Sequence, residues 1–254
     1  RDILRMVHKV NSGHPGGSLG CTEYLVTLFN SVMKRNPGFN MNGINEDIFF
    51  LSNGHISPVF YSVLARCGYF EVNELNTFRL INSRLQGHPT THEGLPGVRV
   101  ASGSLGQGLS VALGASLTKK MNNDKCLIYC LLGDGELQEG QNWEAFMYAS
   151  ANKVDNIIAT IDLNGQQIDG STDDVLNLGK IRNKIESQFV SSNASFEGIA
   201  SSLATYHMLY DDVNLINDQI DIYMSITREE MRDVANKYLN TNQRIEVEYL
   251  PNEK

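Results

Sequence analysis

The sequence predicts an α/β fold: a doubly wound, mostly parallel sheet that the chain leaves incomplete, then a helical C-terminal segment ending in a strand. Three features predict it. An apolar run, Cys126 to Leu132, feeds into Gly133-Asp134-Gly135, and after a helical-looking stretch a second apolar run, Ile157 to Ile161, ends at Asp162-Leu163-Asn164. A third short apolar run, Ile48 to Leu51, ends in Ser52-Asn53-Gly54-His55. Of the 22 glycines, all but Gly198 lie at or before Gly179, so the composition changes near residue 180. Short apolar runs that end in turn residues and alternate with helical patterns read as parallel strands with crossover helices.

Ile3, Leu4, Val7 and Val10 share one face of a helix over 1–11, which stops at Ser12-Gly13-His14-Pro15-Gly16-Gly17. A second helix is expected over 19–33. Pro58 to Cys67 is helical, with proline at an acceptable first-turn position. Glu71 to Phe78 forms a short helix, and Gly87-His88-Pro89 opens a loop lasting to Ser104. Leu105 to Met121 is a helix of small residues, and 162–180 is loop. The tail reads as polar helices over 182–210 and 213–224. Thr227 and Glu230 form a capping box that opens a third helix to Leu239, and Arg244 to Leu250 alternates like a strand.

The 254 residues suffice for one large α/β domain or two smaller ones. A formal net charge of −8 without a basic patch argues against nucleic acid and against binding to anionic membranes. No run of about twenty apolar residues predicts a transmembrane helix. The start is no signal peptide; it lacks Met and begins inside an amphipathic pattern, as if the chain started late. Cys21, Cys67, Cys126 and Cys130 sit in apolar contexts, where buried reduced thiols and a cytoplasmic location are expected.

In a parallel sheet, strand ends converge on one edge, where open α/β sheets bind ligands. Asp134 and Asn164 therefore meet although far apart in sequence. Both offer hard oxygens, the donors that Mg²⁺ or Ca²⁺ prefers, with side chains expected within about 5 Å of one another. Gly135 lets backbone N–H groups approach a phosphate at a helix N-terminus, where negative charge is favoured. A diphosphate would complete the metal's coordination. His14, His55 and His88 each follow a glycine on a loop. Imidazoles suit hydroxyl-rich substrates because they donate, accept and titrate near neutrality.

The segments SGHPGGSLG, LSNGHISP, GHPTTHEGLPGVRVASGSLGQG and GDGELQEGQNWEA, with Asn164 closing the last unit, resemble the N-terminal, thiamine diphosphate-binding half of transketolase. The resemblance is closest to the split form, in which this half is a separate polypeptide, and covers residues 1 to about 180. It implies that Asp134, Asn164 and the main-chain carbonyl of Gln166 hold Mg²⁺, with Ca²⁺ an alternative. It implies that Gly133, Gly135 and His55 meet the diphosphate, and that Gly103 and Leu105 lie by the aminopyrimidine. His14, His55 and His88 would face the donor sugar, and Glu139 would join a carboxylate network across a dimer. Ser104 stands where the family usually has proline. The implied reaction moves a two-carbon ketol unit between sugar phosphates. The cofactor carries the hard chemistry. A partner, the pyrimidine-binding C-terminal half, would supply the activating glutamate, in a homo- or hetero-oligomer. A deoxyxylulose-phosphate synthase shares similar early motifs and is the near rival.

The tail, 181–254, resembles the C-terminal end of pitrilysin-type (M16) zinc peptidases in LINDQIDIYMSITREEMRDVANKYLNTNQRIEVEYLP. The inverted zinc motif HxxEH is absent, so a non-catalytic role is expected. A join of two families at the break near residue 180, a natural fusion or an artificial one, is favoured over a diverged transketolase tail, with a non-catalytic binding module as the contrasting function.

Overall fold

The computed structural model describes residues 1–36 and 38–179. The expected tail helices, the strand over 244–250 and the peptidase-like segment lie outside the described residues.

Three strands make a parallel sheet in the order β1 (Ile48–Leu51), β2 (Ile128–Gly133), β3 (Ile157–Asp162). The register runs from Ile48 opposite Ile128 to Leu51 opposite Leu131, and from Ile128 opposite Ile157 to Gly133 opposite Asp162. β1 is buried throughout and β2 nearly so, which is why both read as continuous apolar runs instead of alternating ones. β3 is only half-buried.

Helices cover both faces, as a doubly wound sheet requires. Phe49, Leu51, Tyr129 and Leu131 face α1 (Asp2–Val10), α3 (Thr22–Thr27) and α4 (Ser57–Arg66), and pack with Met6, Leu25, Phe60 and Leu64 into one core. Side chains alternate along a strand, so Phe50, Ile128, Cys130 and Leu132 point the other way, where α5 (Gly108–Met121) lies with Leu109, Ala112 and Leu113 buried. α6 (Gly140–Ala151) packs beside α5.

Several element boundaries differ from the sequence expectation. The second helix starts earlier, as α2 (Pro15–Gly20), because Pro15 occupies a first-turn position; after α3 it closes in a π-helical turn, Leu28–Val32. The helix expected from Leu105 starts at Gly108: Gly103 and Gly106 have φ of 125° and 84°, outside helical space. The segment 71–78 is a 3₁₀ turn, Val72–Thr77. The expected loop over 162–180 holds a two-stranded hairpin, β4 (Gln166–Gln167) with β5 (Gly170–Ser171), and α7 (Thr172–Leu176), whose N-cap Ser171 accepts from the Asp174 N–H.

Leu131 sits on the central strand and is 1 % exposed. Replacing it by alanine is expected to cost about 2–5 kcal/mol, because the surrounding strands and helices cannot collapse into the space. Urea unfolding of the variant against the parent measures this.

Candidate active site

β2 delivers Asp134 to the carboxyl edge of the sheet, where it is 1 % exposed. Its N–H donates to Asp162 O at 3.1 Å, which prolongs the β2–β3 pairing by one step. Its Oδ1 accepts from the Gly135 N–H at 2.9 Å and its Oδ2 from the Gly165 N–H at 2.5 Å. The second bond draws the loop after β3 over the Asp134 carboxylate, so Asn164 and Gln166, which flank Gly165, lie beside it. Asn164 Oδ1 accepts from the Gln166 N–H at 2.9 Å, and its Nδ2 donates to Asp162 Oδ2 at 3.1 Å. Among the described residues no cluster of three or more His, Cys, Asp or Glu side chains suits a metal. The oxygens on this edge are instead the Asp134 carboxylate, the Asn164 amide and the main-chain carbonyl of Gln166, which would lie 3.8 Å from a Cβ on Gly135; oxygens of this type are the donors a hard cation takes.

Gly135 needs to be glycine: a Cβ added there would lie 2.7 Å from Gln167 Cβ. It opens a 3₁₀ turn, Gly135–Gln138, and α6 begins only at Gly140. The expected helix N-terminus at Gly135 is therefore a tight turn, because the Asp134 carboxylate caps it from within.

Glu136 was not distinguished by the sequence, yet it ties this edge together. It is 2 % exposed. Its Oε1 accepts from the Ser52 hydroxyl and from the Gly106 N–H, the latter at 2.8 Å, and its Oε2 accepts from the Gly133 N–H at 3.2 Å. Burial pushes its carboxyl above the usual range; the three donors pull the other way without cancelling it, and Glu139 adds to the rise. Glu139 itself is exposed and packs against the Gly106 loop, where a Cβ on Gly106 would come within 2.7 Å of its own Cβ. Trp143 Nε1 donates to Leu137 O at 2.8 Å and fixes the turn onto α6.

Two of the three predicted histidines are in ring contact. His14, just ahead of Pro15 in α2, meets His55 edge to face, with centroids 5.1 Å apart. His55 lies in a 3₁₀ turn, Gly54–Ile56. Burial, then the charges of His14 and His88, push it from 6.5 down to about 4, and Asp162 opposes. His88, also within electrostatic reach of His14, is exposed, and Gly103 allows its ring to approach: a Cβ on Gly103 would lie 2.8 Å from the His88 ring. Gly54 likewise lets the Ser102–Gly103 backbone come close, since its Cβ would be 2.8 Å from Gly103 N. Leu105 is half-buried in that same loop. Burial lowers His14 and His88 as well, and the nearby Arg79 guanidinium lowers both further. Arg79 went unnoticed in the sequence; it sits at φ 56° and bonds Ser12 Oγ at 2.5 Å.

The buried polar atoms give an independent test of whether a ligand belongs here. Asn53 Nδ2 and Oδ1 are both buried without a partner, as is Gln167 Nε2. A Cβ on Gly133 would lie 3.8 Å from Asn53 Cβ, and one on Gly135 would meet Gln167, so an amide stands at each end of the Gly133-Asp134-Gly135 turn. Buried amides normally find partners. Unspent donors beside a glycine turn fit an anionic group such as a diphosphate.

A parallel α/β sheet with a strand–GDG–turn and an oxygen-donor loop at its carboxyl edge defines a cofactor-binding domain. The model of the transketolase thiamine diphosphate binding domain matches residues 3–189, and this chain belongs to that family. The match runs past the break expected near residue 180. An apulose-4-phosphate transketolase subunit from Actinobacillus succinogenes is 41 % identical over 164 residues, which are 65 % of this chain and 59 % of that one. A 6-deoxy-6-sulfo-D-fructose transketolase subunit from Clostridium is 38 % identical over 181 residues, 71 % of this chain and 65 % of that one. The crystal structure of transketolase from Campylobacter jejuni superposes with a TM-score of 0.67 at 37 % identity, over 74 % of this chain and 30 % of that one. The chain thus spans less than two thirds of these relatives.

The histidine shift has a pH consequence. His55 is lowered from 6.5 to about 4, so between those values the unfolded chain binds a proton that the folded chain does not. Its contribution to stability is complete above pH 6.5 and declines as pH falls towards 4. Urea midpoints should drop over that window, and His55→Asn should flatten the slope; equal slopes for parent and variant would contradict the shift.

Glu136→Ala strands three buried donors at once. With each costing about 1–3 kcal/mol, the variant should lose at least ~3 kcal/mol of stability in urea unfolding. Amide exchange should quicken at Gly106 and Gly133 before it does in the β1–β2 ladder.

Proposed function

We propose that this chain is the diphosphate-gripping half of a two-part transketolase, transferring a two-carbon ketol unit from a ketose phosphate to an aldose phosphate with thiamine diphosphate and Mg²⁺. One observation carries the reading: Asp134 with its Asn164–Gln166 loop and the His14–His55–His88 group share one edge of one sheet. Metal and diphosphate contacts on one side, and neutral imidazoles on the other, are what a cofactor-dependent sugar transferase needs within a single site.

Asp134, Asn164 and the Gln166 carbonyl would hold the metal. Gly133, Gly135 and His55 would meet the diphosphate, and Gly103 and Leu105 would sit by the aminopyrimidine. Thiamine diphosphate, when bound, supplies the nucleophilic carbon and the electron sink. His14, His55 and His88 orient the sugar's hydroxyls. Lowered basicity keeps their rings neutral at pH 7, so each both donates and accepts. Glu139, exposed just ahead of α6, would join a carboxylate network across the dimer.

The relatives named as transketolase subunits support a partner that supplies the pyrimidine-binding half, in a homo- or hetero-oligomer. In this reading residues 1–180 grip the cofactor and 181–254 form a non-catalytic appendage. The four cysteines are free, as a cytoplasmic location would have them, and no helix among the described residues is long and apolar enough to cross a membrane.

The test is ketol transfer from xylulose 5-phosphate to ribose 5-phosphate with cofactor and Mg²⁺. The purified chain alone should not turn over, since the activating glutamate is expected from the other half and general acid–base assistance is worth ~10²–10⁴ in rate. Adding a split-transketolase C-terminal half should produce activity, and Asp134→Ala should abolish it. Robust turnover by the chain alone would overturn the two-part reading.

A further inference from the structure

Asn53 is the one side-chain amide among the described residues whose nitrogen and oxygen are both buried and both without a partner. It is 1 % exposed. The other orphaned atoms differ: the Ser18 and Ser102 hydroxyls and Gln167 Nε2 are single atoms, the Asn142 amide already donates to Glu136 O at 2.7 Å, and Arg79 and Arg99 hold other partners through their terminal nitrogens. Leaving a whole amide dry and unbonded is costly, and natural interiors seldom do so.

The backbone around Asn53 is tightly held, so the side chain is presented instead of loosely placed. Its carbonyl accepts from the Ile56 N–H at 3.1 Å, its neighbour Ser52 is fixed on Glu136, and Ser52 N–H donates to Leu131 O at 2.9 Å. Asn53 stands at the carboxyl end of β1 against Gly133, two residues before His55.

We propose that Asn53 is a diphosphate-binding residue whose side-chain amide N–H₂ donates to a diphosphate oxygen of the cofactor, an inference that rests on reading the chain as a thiamine diphosphate-binding half. Either orientation of the amide leaves a donor unspent, because neither atom is engaged. A neutral amide suits this place: it adds a donor for phosphate oxygens without a second cation competing with the metal beside Asp134.

The experiment is isothermal titration of the full chain with inorganic pyrophosphate, and separately with thiamine diphosphate, both with Mg²⁺. Parent, Asn53→Ala and Asn53→Asp proteins are compared, and ligand-free melting is recorded for each. Asn53→Ala should weaken both ligands on the order of 10- to 100-fold, as for loss of one hydrogen bond to a charged group. Asn53→Asp, nearly isosteric but anionic, should weaken them more. Ligand-free Asn53→Ala should melt no lower than the parent, because the amide it removes was unsatisfied. A merely structural asparagine would give the reverse, a lower melting point with unchanged affinity, and that result overturns the proposal. Asn53→Asp binding as tightly as the parent also overturns it, marking Asn53 as a metal ligand. If the parent binds neither ligand, the thiamine diphosphate reading fails together with this inference; if the parent binds and both variants match it, only the inference fails.

Discussion

The working edge of this domain depends on one buried carboxylate. Glu136 accepts from Ser52 at the end of β1, from Gly106 in the loop before α5 and from Gly133 at the end of β2. Hydrogen bonds to a charged acceptor are roughly twice as strong as neutral ones. Placed in dry surroundings, they set the separation of three loops that have no regular pairing with one another. His55, Gly103 and Asp134 inherit their positions from those loops. The cost is a desolvated carboxylate whose affinity for a proton is raised by burial.

Glycines complete the arrangement by letting backbones approach where side chains would collide. At Gly54 the obstacle is the Ser102–Gly103 backbone, at Gly103 the His88 ring, and at Gly135 the Gln167 stem. Close approach gathers imidazoles from three separate loops into a group small enough that His14 and His88 disfavour protonation of His55, and His14 that of His88. Packing and basicity are thus linked: burial is the largest cause lowering all three imidazoles, and for His55 and His88 the neighbouring imidazoles add to it.

The two edges of the sheet are unequal. β1 and β2 are deeply buried between α1–α4 and α5, whereas β3 is half-covered and carries the loop whose Gly165 N–H bonds Asp134. A rigid layer therefore presents Asp134, and a less buried strand brings in the hairpin that closes over it. Sites held on packed strands are more exact in geometry than sites held on loops alone. Asp134, anchored by main-chain bonds to both β3 and its own turn, belongs to the first kind.

Strand identity, the parallel sheet and the meeting of the GDG turn with the loop after β3 were legible in the sequence. They depend on local patterns: continuous apolar runs for buried parallel strands, turn residues at their ends, and a crossover helix between. The histidine loops were legible for the same reason, each marked by a preceding glycine. What the sequence could not determine is whatever rests on residues far apart in the chain. Glu136 and Ser52 are 84 positions apart, and nothing near either announces the bond. The His14–His55 contact, the 3₁₀ turn that displaces the start of α6, and the hairpin after β3 were likewise decided by tertiary structure. So was the unsatisfied amide of Asn53: asparagine after a strand reads as a turn residue, and only the packed environment shows that its polar atoms lack partners. Local propensity sets which elements form; the burial of polar groups, a property of the assembled layers, decides which side chains are left to bind.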